Sequence, residues 1–247
     1  MERPLEGKLV LVTGAGVRVG KAIAIALGRA GADVAAHYHS SAESARGVIA
    51  AVRADGNLCE AFQADLADPA APASLAAAVE ERMGPIAALV NSAAIFDGAP
   101  FVETSLPMLE RTWAINARAP FLLTQAVARR MAARGGGDVV NVLDIGGPLI
   151  AWKNYAAYCM AKGALGTLTR CLALELAPAI RVNGVAPGAV LPGAQATSEH
   201  LASLRERIPQ RRVGTAEDVA EAVLFFLAGP RFVTGQVLAI DGGRTLV

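Results

Sequence analysis

Short apolar runs along this chain alternate with longer segments in which apolar residues recur every three or four positions. Lys8 to Val12 is a compact β-branched run; a glycine-rich turn follows it, and then a helical pattern over Lys21 to Ala30. The pair repeats: strand Asp33 to Tyr38 with helix Ser44 to Ala54, strand Leu58 to Gln63 with a helix ending near Met83, and strand Ile86 to Val90 with a long helical region, Leu106 to Ala132. Asp68-Pro69 reads as the N-cap and first residue of the third helix. A fifth strand covers Asp138 to Leu143, a helix Tyr155 to Leu176 and a sixth strand Arg181 to Val185. A capped helix from Thr215 to Leu227 and a final strand, Gln236 to Ile240, complete the series. Strands that are apolar throughout belong to parallel sheets covered on both faces. The pattern therefore predicts one α/β domain over residues 1–247, a doubly wound parallel sheet of about seven strands with helices on both faces. Only residues 189–212 break the rhythm; they mix Pro, Gly and polar residues with a short helical piece and read as a substrate lid.

Composition narrows the function classes. The chain is 53% apolar, yet Gly, Pro or a charge interrupts every apolar run well before a bilayer's width, which argues against a membrane protein. A net charge of +1 and the lack of a dense Lys/Arg cluster argue against nucleic acid as a partner. The N-terminal residues lead into a strand without an apolar signal region, so the expected setting is cytoplasmic. Cys59, Cys159 and Cys171 are odd in number and lack metal-type spacing, and they read as reduced, mostly buried thiols with no metal site.

The candidate chemistry lies at the ends of the strands. Thr13-Gly14-Ala15-Gly16-Val17-Arg18-Val19-Gly20 joins the first strand to the first helix, as a pyrophosphate-binding turn requires: close backbone approach and free N–H groups at a helix start. The second strand ends in His37-Tyr38-His39-Ser40-Ser41 with no carboxylate to select a free ribose 2′-hydroxyl. Histidine, serine and Arg18 suit a 2′-phosphate, hence NADPH, although His37 and His39 are also consistent with an exposed strand end. Asn91-Ser92-Ala93-Ala94 ends the fourth strand in small residues that let a ligand approach; Phe96 beside it suits either a planar substrate or the core. Asn116, on a largely apolar helix, needs partners, either in a proton relay or at a kink near Pro120.

Tyr158 and Lys162 stand four apart, on one helical face, so the ammonium can favour the phenolate and make the phenol a proton donor near neutral pH. Tyr155 has Cys159, not lysine, four residues on, and Tyr158 is therefore the expected acid. Asp144 follows the fifth strand on the same sheet edge, and the helix bearing Tyr158 carries apolar groups on more than one face, as a subunit interface would.

With these motifs in this order, the chain resembles the short-chain dehydrogenase/reductase family over essentially its whole length. The resemblance implies a Rossmann-type fold, a small-molecule substrate, a homotetramer, and a catalytic set of Tyr158, Lys162 and Asn116. Arg18 in the turn, the His-Tyr-His run with Ser41, Asp144 where most members have serine, and Phe96 resemble the pteridine reductase subgroup. That likeness implies NADPH and reduction of a dihydropterin or dihydrofolate-type C=N bond, with Asp144 acting beside Tyr158 and Phe96 and Arg18 near the substrate. It implies cofactor contacts from Gly14, Arg18, Val19, Gly20, His37, Tyr38, His39, Ser40, Ser41, Asp65, Leu66, Asn91, Ser92, Ala93, Tyr158, Lys162, Pro187 and Gly188. Ser92 and Ala94 depart from the subgroup's turn, and the Asp144-to-Tyr158 loop is one residue longer. A general carbonyl or 3-oxoacyl thioester reductase is the alternative.

Overall fold

A computed structural model describes residues 3–40, 42–190 and 197–247. Seven strands, all parallel, form one sheet in the order β3-β2-β1-β4-β5-β6-β7. They are β1 (Leu9–Val12), β2 (Asp33–Tyr38), β3 (Cys59–Gln63), β4 (Ile86–Asn91), β5 (Gly137–Val142), β6 (Ile180–Pro187) and β7 (Val237–Ile240). The central strands are apolar because both faces are covered. On one side lie α1 (Arg18–Arg29), α2 (Ala42–Ala54) and α8 (Ala216–Ala228), which contribute Ile23, Leu27, Val48, Val52, Val223 and Phe226 to the core. On the other lie α3 (Ala71–Met83), α5 (Ala119–Ala132) and α6 (Ala156–Glu175), bringing in Leu75, Val79, Leu123, Val127 and Ala173. The remaining helices are α4 (Leu106–Trp113) and α7 (Ser198–Glu206).

The chain runs outward through β1, β2 and β3 and then returns to place β4 on the other side of β1, so the strand order reverses between β1 and β4. In open α/β sheets a ligand crevice opens at this reversal, at the carboxyl ends of the strands. Every expected strand is present, with its ends within about two residues of the sequence expectation.

Two helices differ from that expectation. Asp68 caps a turn by accepting from the Ala70 N–H at 2.9 Å, so α3 begins only at Ala71, and Pro72 rather than Pro69 takes the first-turn place that needs no N–H. The helical region from Leu106 is not uniform: a π-helical turn, Ala114–Arg118, separates α4 from α5. Pro120 has no N–H to return to the carbonyl four residues back, that of Asn116, and a wider turn absorbs the mismatch.

At α8 the predicted cap is complete. Thr215 accepts from the Asp218 N–H, and Asp218 accepts in return from the Thr215 N–H at 2.7 Å. The cysteines differ from expectation, since Cys59 alone is buried, Cys159 is half-buried and Cys171 exposed. Among the described residues no helix is long and apolar enough to cross a membrane. Part of the expected lid, residues 191–196, lies outside the described residues, as does Ser41; α7 supplies the lid's helical piece.

Candidate active site

The turn after β1 leaves no room for a side chain at two of its glycines. Gly14 has a φ of +67°, and a Cβ there would sit 2.9 Å from the Ala93 Cα; one on Gly20 would fall 2.2 Å from the Gly14 carbonyl oxygen. The turn after β1 and the turn after β4 therefore touch through bare backbone. Thr13 fastens them, since its hydroxyl oxygen accepts from the Ser92 and Ala93 N–H groups at 2.9 and 3.0 Å. Such a cradle, with the start of α1 behind it, fits a pyrophosphate, which needs N–H donors and close approach.

His37 is placed differently from expectation. It is buried rather than presented at the strand end: its Nδ1 accepts from the Gly14 N–H at 3.1 Å, and its Nε2 lies 3.1 Å from the Ala64 carbonyl oxygen. Both ring nitrogens are engaged by the protein, so His37 braces the glycine turn from below instead of reaching a ribose. Burial holds its pKa below the ordinary histidine value, and the ring is neutral.

His39 and Ser40 are exposed, with Tyr38 half-buried behind them. Asp65, just beyond β3, comes within 3.8 Å of His39 Nε2. Asp65 reaches the end of β2 from the turn after β3, a juxtaposition that local sequence does not reveal. Arg18 opens α1 with a φ of +50° and is exposed. Leu66 is buried behind Asp65.

At the other end, β4, β5 and α6 bring the chemical groups together. Tyr158 is 5% exposed, and its hydroxyl donates to Asp144 Oδ2 at 3.1 Å. One helical turn on, Lys162 is fully buried, its Nζ donating to the Val142 carbonyl at 2.8 Å and lying 5.8 Å from the centre of the Tyr158 ring. The expected lowering of the tyrosine pKa is not what this environment produces. Burial raises it well above the ordinary phenol value, and the facing Asp144 charge raises it further. Burial also lowers Lys162 to about 8, opposed by Asp144. Asp144 itself is pushed up by burial, against donors that favour its charged form.

Asn116 sits inside the π-turn with no solvent exposure. Its amide pairs with one residue of the β4 turn, accepting from the Ile95 N–H at 3.2 Å and donating to the Ile95 carbonyl at 3.0 Å. The side chain lies in the irregular turn before Pro120 and fixes the segment that presents Phe96. That ring is not in the core. It is about half exposed, stacked on Tyr155 at 4.2 Å and edge-on to Tyr158 at 4.7 Å.

Asn91 is buried below the site and donates to Thr124 at 3.1 Å and to Asn141 at 2.8 Å. On the far side Pro187 accepts from the Ile145 N–H at 3.0 Å, and the Gly188 N–H donates to Ile240 at 3.0 Å. Sequence reasoning missed Thr13 as a clamp and missed Trp152, whose indole N–H donates to Asp144 Oδ1 at 2.9 Å. The only local hint of Trp152 was an aromatic residue in a loop otherwise rich in glycine. Among the described residues, no three His, Cys, Asp or Glu side chains gather as a metal site would require.

Comparison with known proteins shows the family. A family model described as enoyl-(acyl carrier protein) reductase matches residues 14–245. An uncharacterised oxidoreductase of Mycobacterium tuberculosis is 37% identical, over 98% of this chain and 93% of its own. L-rhamnose 1-dehydrogenase (NAD(P)(+)) of a Sphingomonas species is 33% identical over 97% and 96%. The structure of a blue fluorescent protein from a metagenomic library, in complex with NADPH, superposes with a TM-score of 0.91 at 36% identity, covering 98% of this chain and 99% of that one. The shared fold, full-length similarity and the Tyr158–Lys162 helix lead to one conclusion: the chain belongs to the short-chain dehydrogenase/reductase family of oxidoreductases.

Proposed function

We propose that this protein is an NADPH-dependent reductase acting on a carbonyl or imine carbon of a small molecule, with Tyr158 as the proton donor. The observation that carries the reading is the Tyr158 hydroxyl, 3.1 Å from Asp144 at the carboxyl edge of the sheet with Lys162 buried beneath it. NADPH, when bound, supplies the hydride.

The rest falls to this chain's residues. Gly14, Val19 and Gly20 give the pyrophosphate its close approach, with Ser92, Ala93, Pro187 and Gly188 as neighbouring backbone. Arg18, His39 and Ser40 meet a 2′-phosphate. Burial and Asp144 keep the Tyr158 proton in place at neutral pH, so the acid is loaded before turnover. Support for NADPH comes from the NADPH complex of the metagenomic relative. The rhamnose dehydrogenase, whose name gives either cofactor, marks NAD as the competitor.

Within this reading we favour a dihydropterin or dihydrofolate-type C=N bond. A carboxyl group in place of the usual hydroxyl can ionise, which suits proton exchange with an imine nitrogen. Phe96 is exposed next to the acid, and its face away from Tyr155 suits a planar ring. A general carbonyl or 3-oxoacyl thioester reductase remains the second reading, favoured by a sugar dehydrogenase among the relatives and by the acyl carrier protein chemistry in the family description.

The test is NADPH oxidation with a dihydropterin, dihydrofolate, an acetoacetyl thioester and an aromatic ketone at matched concentrations. Preference for the pterins supports the sharper reading, and preference for ketone or thioester removes it while keeping the acid. Silence with all four, with NADPH bound, overturns the reductase reading. The proposal includes a homotetramer assembled across the open apolar groove of Trp113, Ala117, Phe121, Leu168 and Cys171, and a cytoplasmic setting that keeps the three free cysteines reduced. A monomer at micromolar concentration would remove the assembly.

A further inference from the structure

Asp144 has two carboxyl oxygens in different surroundings. Oδ1 accepts from the Gly146 N–H at 2.6 Å and from the Trp152 indole N–H at 2.9 Å, whereas Oδ2, among the described residues, accepts a hydrogen bond only from the Tyr158 hydroxyl, at 3.1 Å. The segment between them is folded to make this possible. Leu149 and Ile150 donate back to the Ile145 carbonyl at 3.1 and 2.9 Å, and Gly147 donates to Ile150 at 2.7 Å. This tight turn returns the chain so that the indole lies over Gly146. A Cβ on Gly146 would stand 1.9 Å from both Cδ1 and Nε1 of Trp152, so only glycine leaves room for the ring.

We propose that Trp152 is a positioning residue for the reaction: its indole N–H, with the Gly146 N–H, saturates one oxygen of Asp144 and leaves the other aimed at Tyr158. A tryptophan N–H can only donate, so the bond cannot reverse. Three donors converge on the carboxyl, and its hydrogen-bonding role here is that of an acceptor. Without the indole, Oδ1 keeps a single donor in a buried place, the neutral carboxyl gains, and a neutral Asp144 is free to turn its own proton toward Tyr158. The titratable groups facing Asp144 are Tyr158, Lys162 and Cys159, all on α6, and none can replace a donor on Oδ1 without leaving its own place. The inference rests on the proposed pairing of Tyr158 with Asp144.

The test is a carboxyl 13C NMR titration of Asp144, its signal assigned by loss in Asp144→Asn. It compares the wild type with Trp152→Phe, which keeps a ring without the donor, and Trp152→Gln, which keeps a donor without the ring. A protein with benzothienylalanine at position 152 adds the indole's shape with sulfur in place of N–H. We expect the Asp144 midpoint to rise by about one pH unit in the Phe and benzothienyl proteins and to return part of the way in the Gln protein. The acid limb of kcat should move with it, while NADPH affinity holds. An unmoved midpoint in the benzothienyl protein, or an equal rise in the Gln and Phe proteins, overturns the proposal, because packing alone would then account for Trp152. The titration needs no substrate, so a wrong substrate assignment appears as absent turnover with the midpoint shift intact.

Discussion

The two ends of the crevice are built on opposite plans. At the catalytic end Tyr158 and Lys162 are buried, Asp144 is held by three donors, and Asn116 is locked to Ile95. At the end proposed to meet the 2′ group, Arg18, His39 and Asp65 are exposed, and His39 lies 3.8 Å from Asp65 with both side chains about half accessible. The chemical groups must hold one geometry and one protonation state, and burial enforces both. A rim proposed to hold a phosphate gains more from charge that can adjust to its ligand. The contrast teaches that substitutions at the buried end should change turnover and pH behaviour, and those at the rim cofactor preference alone.

The largest expected effect tests the buried end. Tyr158→Phe should lower kcat by about 10²–10⁴-fold, while NADPH affinity, measured by fluorescence titration, changes far less. Full turnover in that variant would end the assignment of the acid. Lys162 gives the next effect, in stability rather than rate. Its folded pKa of about 8 lies below the free value of 10.5, so between these pH values the unfolded chain binds more protons and wild-type stability rises with pH. Lys162→Met should therefore be more stable than wild type below pH 8, by on the order of 3 kcal/mol, and lose that advantage toward pH 10.5. Denaturant midpoints across that range read it directly.

At the rim, Arg18→Ser should raise KM for NADPH about tenfold with kcat and the use of NADH unchanged, the scale of one charge-assisted hydrogen bond. A fall in kcat instead would erase the contrast between the two ends. The smallest effect concerns the brace beneath the rim. The folded pKa of His37 lies below 6.5, so its contribution is present above that pH and lost as pH falls through the folded value, where a proton on Nδ1 breaks the bond from Gly14. Thermal melts should show wild type losing stability from pH 6.5 downward, by about 1 kcal/mol more than His37→Gln.

Much of the fold was legible because the strands are short, largely apolar segments closed by turns. Leu9–Val12 is apolar and buried along its whole length, and a short run apolar on both faces suits a parallel strand best; Ile180–Pro187 is buried throughout although it carries Arg181 and Asn183. The Tyr158–Lys162 pair was legible for the same local reason, since four residues make one helical turn. The start of α3 was misread because two prolines stand near it and an aspartate can cap a turn as readily as a helix. The environment of Tyr158 was misread because a lysine four residues away says nothing of desolvation, which here outweighs it.

By itself, then, the sequence determined the order and type of the elements and the one-turn spacing of Tyr158 and Lys162, because periodicity and turn sterics act over a few residues. Tertiary structure decided the rest: His37 under Gly14, Asp65 beside His39, Asn116 on Ile95, and Trp152 on Asp144. Most of these pairs bring together separate elements, and the last depends on a turn whose backbone closes only when packed. Protonation was settled there too, because a charge's cost depends on what surrounds it in space, and neighbours along the chain supply only part of that environment.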